Sequence, residues 1–257
     1  MKTGITLIAG LVSIVLAMSG PDIQPVIAGN GEVLIIFSGN TLGELKPCGC
    51  AREEDQGGIE RRMSYLKGAR GSTKNTLLVD TGDSFKEATR QGKLKAHYLT
   101  KSMGMMKYDA VALGDKDTVY GAKFLGAIEN IPWVSSNIEL KGVALPRYRI
   151  KKFDDGFKAA VLAVTAPGLF YTEEGSDIKV MNPVEALARI LPDVIESEKP
   201  DLVVLLSHMP REDGLKLLDL EGIDVVINGH IEGENDVIDM KPVRKDGKIF
   251  VQPGPRG

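Results

Sequence analysis

Thr76-Leu77-Leu78-Val79-Asp80-Thr81-Gly82-Asp83 is a short apolar run that ends in a polar turn and an acidic side chain. A few consecutive aliphatic residues bounded by polar residues and glycine have the signature of a fully buried strand and the loop that follows it. The same reading repeats downstream. Leu202-Val203-Val204-Leu205-Leu206 leads into Ser207-His208, and Ile223-Asp224-Val225-Val226-Ile227 leads into Asn228-Gly229-His230. In open α/β sheets, ligands gather at the carboxyl ends of such strands, so Asp83, His208 and His230 are expected together. The chain has only 3 histidines, and the other one, His97, falls in a helical pattern as a surface or partly buried structural residue. A metal site is the leading expectation.

Working outward from these runs, strand and helix patterns alternate from Glu32 onward with short connections. Strands are expected at Val33–Phe37, Thr76–Asp80, Ala110–Leu113, Trp133–Ser135, Arg147–Lys151, Lys158–Val164, Leu202–Leu206, Val225–Ile227, Val237–Met240 and Ile249–Gln252. Helices are expected at Ile59–Gly68, Lys93–Lys107, Ala122–Glu129, Val184–Glu198 and Arg211–Leu218. Asp154-Asp155-Gly156 has the composition of a hairpin turn, and Asn182-Pro183 that of a helix start, with a capping side chain and proline at the first helical position. Repeated strand, loop and helix units place the chain in the α/β class.

The 257 residues are 43% hydrophobic, enough for one substantial core, and a net charge of −3 argues against a nucleic acid polymer as partner. The apolar run Ile5 to Met18 follows Met1-Lys2-Thr3-Gly4 and is shorter than the about 20 residues a membrane helix needs. It reads as a signal peptide over residues 1–28, with Val26-Ile27-Ala28 before the cleavage point and Ser19 as a second possibility. The expected product is a periplasmic or secreted protein, residues 29–257, with no stable membrane span. Cys48 and Cys50 lie in Pro47-Cys48-Gly49-Cys50. A disulfide across one intervening residue is strained and easily reduced, and the competing readings are a redox pair, two thiolate ligands, or a link to a protein partner.

Taken in order, the loop pieces resemble the calcineurin-like metallophosphoesterases, and within them the catalytic domain of the bacterial 5′-nucleotidase group. Ser38-Gly39-Asn40-Thr41-Leu42-Gly43 stands where that family has Asp-x-His-Gly. Gly57-Gly58-Ile59-Glu60-Arg61 is similar to its Gly-Gly-x-x-Arg, and Asp80-Thr81-Gly82-Asp83 to its Gly-Asp loop. Gly114-Asp115-Lys116-Asp117 stands where it has Gly-Asn-His-Glu or Gly-Asn-His-Asp, and Ser135-Ser136-Asn137 resembles its Ser-Ala-Asn segment. Ser207-His208 and Gly229-His230-Ile231-Glu232 resemble its Ser-His and Gly-His-x-His loops. The resemblance implies a four-layer α/β/β/α sandwich with metals at one end of two sheets.

It also implies two ligand sets that fare differently in this chain. One metal position of the family maps onto Asn40, Leu42, Asp83 and Glu232; an alkyl side chain cannot ligate and an amide is a weak donor, so this position is expected to be lost or weakened. The other maps onto Asp83, Asp115, His208 and His230, all ligand-capable and suited to a single divalent Zn, Mn or Fe ion. Glu232 either helps hold a shifted ion or is a solvated loop acid. Lys116 and Asn40 are expected to face the phosphoryl group of a phosphate ester or other small anion, with Lys116 in place of the family's histidine. Arg61 and Arg62 either reach an anionic ligand near a helix start or, as the preferred reading, lie on a solvated helix face. The chain stops shortly after Val251-Gln252-Pro253-Gly254, so the family's C-terminal nucleotide-specificity domain is expected to be absent. The leading expectation is an exported phosphomonoester or nucleotide hydrolase. The alternatives are a non-catalytic protein binding an anion or partner, or a redox or metal-handling protein using Cys48 and Cys50.

Overall fold

Strand residues point alternately to the two faces of a sheet, and in the central strands of this chain both faces are apolar. Each sheet is therefore covered on both sides. The computed structural model describes residues 13–16, 32–48, 55–170, 176–232, 239–254 and 256.

The first sheet holds β1 (Ser13–Leu16), β2 (Glu32–Ser38), β3 (Asn75–Asp80), β4 (Ala110–Ala112) and β5 (Trp133–Val134), in that spatial order and all parallel. Strand β1 lies within the stretch read as a signal peptide; the rest of that stretch falls outside the described residues. Two further strands, β6 (Ile138–Leu140) and β9 (Ile178–Val180), pair only with each other. The second large sheet is built from β7 (Tyr148–Lys152), β8 (Lys158–Thr165), β10 (Leu202–His208), β11 (Val225–Asn228), β12 (Val243–Lys245) and β13 (Lys248–Val251). Its spatial order is β12-β13-β11-β10-β8-β7, with the two outer pairs antiparallel and the inner strands parallel.

Between the two sheets, Val33, Ile35, Leu77 and Val79 pack against Val161, Val204, Leu206 and Ile227. The opposite face of the first sheet, with Leu34, Ile36 and Leu78, is covered by α1 (Ile59–Ala69), α2 (Arg90–Met106) and α3 (Ala122–Gly126). The outer face of the second sheet, with Leu162, Val203 and Leu205, is covered by α4 (Pro183–Glu198), among other elements. A short helix, α5 (Arg211–Lys216), follows β10. The result is the four-layer α/β/β/α sandwich. Asn182 caps α4 by accepting hydrogen bonds from the Val184 and Glu185 N–H groups, as expected for an asparagine before proline at a helix start.

One edge strand differs from expectation. The segment Val237–Met240 lies partly outside the described residues, and Asp239 and Met240 are not in a strand. The antiparallel neighbour of β13 is Val243–Lys245. The two are joined by Asp246-Gly247, with φ of 50° and 81°, the left-handed pair that a tight hairpin turn requires. The carboxyl ends of β2, β3, β4, β10 and β11 bring Asn40, Asp83, Asp115, His208 and His230 into neighbouring positions.

Candidate metal centre

His208 is the last residue of β10 and is fully buried. Its Nδ1 lies 3.0 Å from the Thr81 carbonyl, which can only accept a hydrogen bond, so Nδ1 carries hydrogen and Nε2 is the free face of the ring. That Nε2 sits 3.4 Å from Asp83 Oδ1, 3.3 Å from Asp115 Oδ1 and 3.3 Å from His230 Nδ1. Asp115, His208 and His230 each offer a ligand atom, and these atoms all lie within 4.8 Å of one another. The buried Asp115 Oδ1 has no hydrogen-bond partner among the described residues.

Such a set needs a positive charge at its centre. Burial works against an imidazolium, yet the Asp83 and Asp115 carboxylates overcome it and push His208 up to about 10. Burial and the charge of His208 push His230 down to about 4. A proton on His208 offsets the charge of the two carboxylates in the free protein, and a divalent cation would offset the same charge. Two imidazoles and a carboxylate are a donor set that fits a divalent metal ion.

Asp83 is differently engaged. Its Oδ2 accepts a hydrogen bond from Lys116 Nζ at 2.7 Å, and its Oδ1 accepts one from the Lys116 backbone N–H at 3.0 Å. Burial opposes ionisation of Asp83, but the charges of His208 and Lys116 outweigh it and hold the carboxyl well below the usual carboxylate range. The Lys116 ammonium is also 3.8 Å from Asp115 Oδ2. Gly114 makes this approach possible, since a Cβ there would lie 2.2 Å from Asp83 Oδ1 and 2.9 Å from His208 Cε1.

The loop after β2 is stitched to the loop after β3 by hydrogen bonds from Asn40 N to Gly82 O, Leu42 N to Asp83 O and Gly43 N to Ser84 O. Asn40, Leu42 and Asp83 all have positive φ, at 53°, 49° and 56°, a conformation that non-glycine residues adopt rarely. Asn40 is fully buried; its amide donates to the Gly229 carbonyl, and its Oδ1 has no partner among the described residues. Leu42 is buried as well, whereas Glu232 is exposed and is not among the converging groups.

Asp117 has no role in the expected ligand sets, yet it organises the centre. Fully buried, it accepts hydrogen bonds from the backbone N–H groups of Asp83, Ser84, Phe85 and Gly114. Burial and the nearby Asp83 push its carboxyl upward, while these donors favour the ionised form. Its place at the end of Gly114-Asp115-Lys116-Asp117 is the signal in the sequence that could have found it. Arg62 also departs from the solvated face expected of it. Its guanidinium donates to Tyr108 Oη and Thr41 Oγ1, next to the Ser38–Asp80 hydrogen bond, and with Gln252 it lines a cavity of about 450 Å³. Arg61 and His97 are exposed. Cys48 is exposed, its backbone bridged to Gln56; Cys50, and so any pairing of the two, lies outside the described residues.

A 5′-nucleotidase precursor from Thermus thermophilus superposes on 87% of the chain with a TM-score of 0.73 at 21% identity, over 49% of its own length. YfkN from Bacillus subtilis, a calcineurin-like phosphoesterase, superposes on 86% of the chain and 81% of its own with a TM-score of 0.65 at 20% identity. The fold is that of the calcineurin-like phosphoesterases. In sequence the chain is similar to a snake venom 5′-nucleotidase from Naja atra, 25% identical over 220 residues, which cover 79% of this chain and 41% of that one. It thus spans less than half the length of the curated relatives it matches. No protein-family model matches the chain. Within the calcineurin-like fold, the converging donors stand at the carboxyl ends of strands from both sheets.

Proposed function

We propose that the protein is a metal-dependent phosphoric ester hydrolase acting on small phosphate esters, with phosphomonoesters or nucleotides as the substrate class. The observation that carries this reading is the convergence of Asp115, His208 and His230 around one point, beside the Lys116–Asp83 ion pair. Asp115, His208 and His230 would hold one divalent ion of Zn, Mn or Fe. When bound, the ion would lower the pKa of water and neutralise charge on the phosphoryl oxygens.

The chain's own groups divide the remaining work. The Thr81 carbonyl fixes the His208 ring so that Nε2 faces the centre, the kind of outer contact that orients a ligand and raises its basicity. Lys116, about a third exposed, holds its ammonium on Asp83 beside the same space, where its remaining N–H groups can donate to an approaching phosphoryl oxygen. The unpartnered Asn40 Oδ1 can accept a hydrogen bond from water or from a protonated phosphoryl oxygen.

Removal of residues 1–28 as a signal peptide would place the protein in the periplasm or outside the cell, and would take β1 from the edge of the first sheet. No described helix is long and apolar enough to cross a membrane. A non-catalytic reading, in which the cleft binds an anion or a partner without turnover, draws on the buried Leu42 in the altered loop.

One experiment separates the two: metal content of the purified protein by elemental mass spectrometry, with hydrolysis of a chromogenic phosphoester under each candidate ion. A bound ion with turnover that disappears in His208→Ala is the expected result. A bound ion without turnover favours the non-catalytic reading, and no ion at all rejects the metal centre.

A further inference from the structure

Asp83 and Asp115 both stand within 3.4 Å of His208 Nε2, yet their remaining contacts differ. Asp83 has no exposed side-chain surface and gives both oxygens to Lys116, one to the ammonium and one to the backbone N–H. The corresponding oxygen of Asp115, Oδ1, has no hydrogen-bond partner among the described residues. Lys116 is fixed by its place in the chain. It follows Asp115 directly and opens a single helical turn, Lys116–Thr118, whose start is held by Asp117 through Gly114 N and the backbone N–H groups around Asp83.

From this arrangement we infer that Lys116 withholds Asp83 from the metal, so that the ion is held by three protein groups, Asp115, His208 and His230, and keeps open coordination positions. The inference rests on the metal-dependent reading above and adds to it a positioning role for Lys116. Three protein ligands with an open position are the arrangement of catalytic zinc sites, whereas four protein ligands close the ion off. The charge balance follows the same division. Lys116 offsets the charge of Asp83, so that among the carboxylates it is Asp115 that is left to face the ion. Without the ammonium, Asp83 would be free to join the ion, and the open position would be reduced.

The test uses Zn2+ as probe on wild type, Lys116→Met and Lys116→Met/Asp83→Asn, with affinity measured by competition against a chromophoric chelator and crystal structures of the Zn2+-loaded proteins. Wild type is expected to bind Zn2+ with Asp83 still on Lys116, beyond about 3 Å from the ion and so outside the 2.0–2.2 Å of a zinc–carboxylate bond. Lys116→Met is expected to bind about tenfold more tightly, with Asp83 on the ion, and the double variant to fall back toward wild type. Lys116→Gln repeats the test if the methionine variant does not fold. Asp83 bound to Zn2+ in wild type, or no gain in affinity in either Lys116 variant, overturns the inference and leaves the metal centre standing. A wild-type protein that binds no Zn2+, Mn2+ or Fe2+ removes the metal centre and the inference together.

Discussion

On one side of Asp83 stand Asp115, His208 and His230, whose ligand atoms converge; on the other stand Asn40, Leu42 and Glu232, an amide, an alkyl chain and an exposed acid. The backbone does not follow this division. Asn40 and Leu42 have the same left-handed conformation as Asp83, and the two loops are hydrogen-bonded to each other residue by residue. Backbone strain of this kind persists only where surrounding structure fixes it. Here the surrounding structure includes the hydrogen bonds between the loops that follow β2 and β3, which join backbone to backbone. The shape of a two-sided centre is thus compatible with donors on one side only.

The largest expected effect breaks the donor-bearing side. Partners outside the coordination sphere already change metal affinity by about 10–100-fold, so His208→Ala is expected to cost more than about a hundredfold, and turnover with it. Asn40→Ala, on the other side, should change metal affinity by much less. Isothermal titration of both variants with Zn2+ decides whether the two sides differ as their side chains say.

Asp117→Ala is expected to damage both sides together, because Asp117 fastens the loop after β3 to the loop after β4. It strands four buried backbone donors, each costing about 1–3 kcal/mol when left unpaired. Even with partial relaxation the loss should exceed about 3 kcal/mol in urea unfolding. Asp117→Asn, which keeps an acceptor oxygen, should lose less. Equal losses in the two variants would show that the negative charge, and not the hydrogen bonds, is what the loops require.

If only side chains separate the two halves, donors placed on the altered loop should find the geometry waiting. Asn40→Asp/Leu42→His/Glu232→His is expected to raise the bound metal by about one ion per chain, the stoichiometry of two-metal phosphoesterases. An unchanged count by elemental mass spectrometry would mean that the backbone of the altered side has drifted out of register despite its hydrogen bonds.

A subtler difference lies within the donor-bearing side, between its two histidines in the metal-free protein. His208, pushed up to about 10, is protonated in the folded state well above the ordinary value of 6.5. Its contribution is fully present below 6.5 and is lost as pH rises through about 10. His230, pushed down to about 4, stays neutral where the unfolded chain would take up a proton. Stability from that source therefore falls as pH drops from 6.5 toward about 4. The urea midpoint of His230→Ala should lose the acidic limb, and that of His208→Ala the alkaline one. Identical profiles would mean that the two rings share one proton and titrate together.

The long apolar strands were legible because burial on both faces leaves nothing else for a sequence such as Leu202–Leu206 to be. Strands β6 and β9, three residues each, pair only with each other and are too short to show a period. Strand β12, Val-Arg-Lys, has no apolar pattern and is defined by its turn. At the centre, His208 and His230 were legible from their positions after buried strands. The Lys116–Asp83 pair was not, since it joins residues 33 positions apart and depends on two loops from different strands meeting. Arg62 escapes sequence reading for a related reason. A charged residue in the first turns of an exposed helix looks solvated until Tyr108 and Thr41 arrive from elsewhere in the chain.

The smallest effect tests whether the comparison is local at all. Asn182→Ala removes the cap of α4, a helix on the outer face of the second sheet, and should cost about 1 kcal/mol. Sites without shared partners add independently, so Zn2+ affinity should stay within about twofold of wild type. The strand that carries His208 lies between α4 and the inter-sheet core, which makes it the element through which a disturbance would travel. If uncapping α4 weakens the metal by more than this, the donor geometry depends on packing of the outer helices, and the difference between the two halves cannot be assigned to their side chains alone.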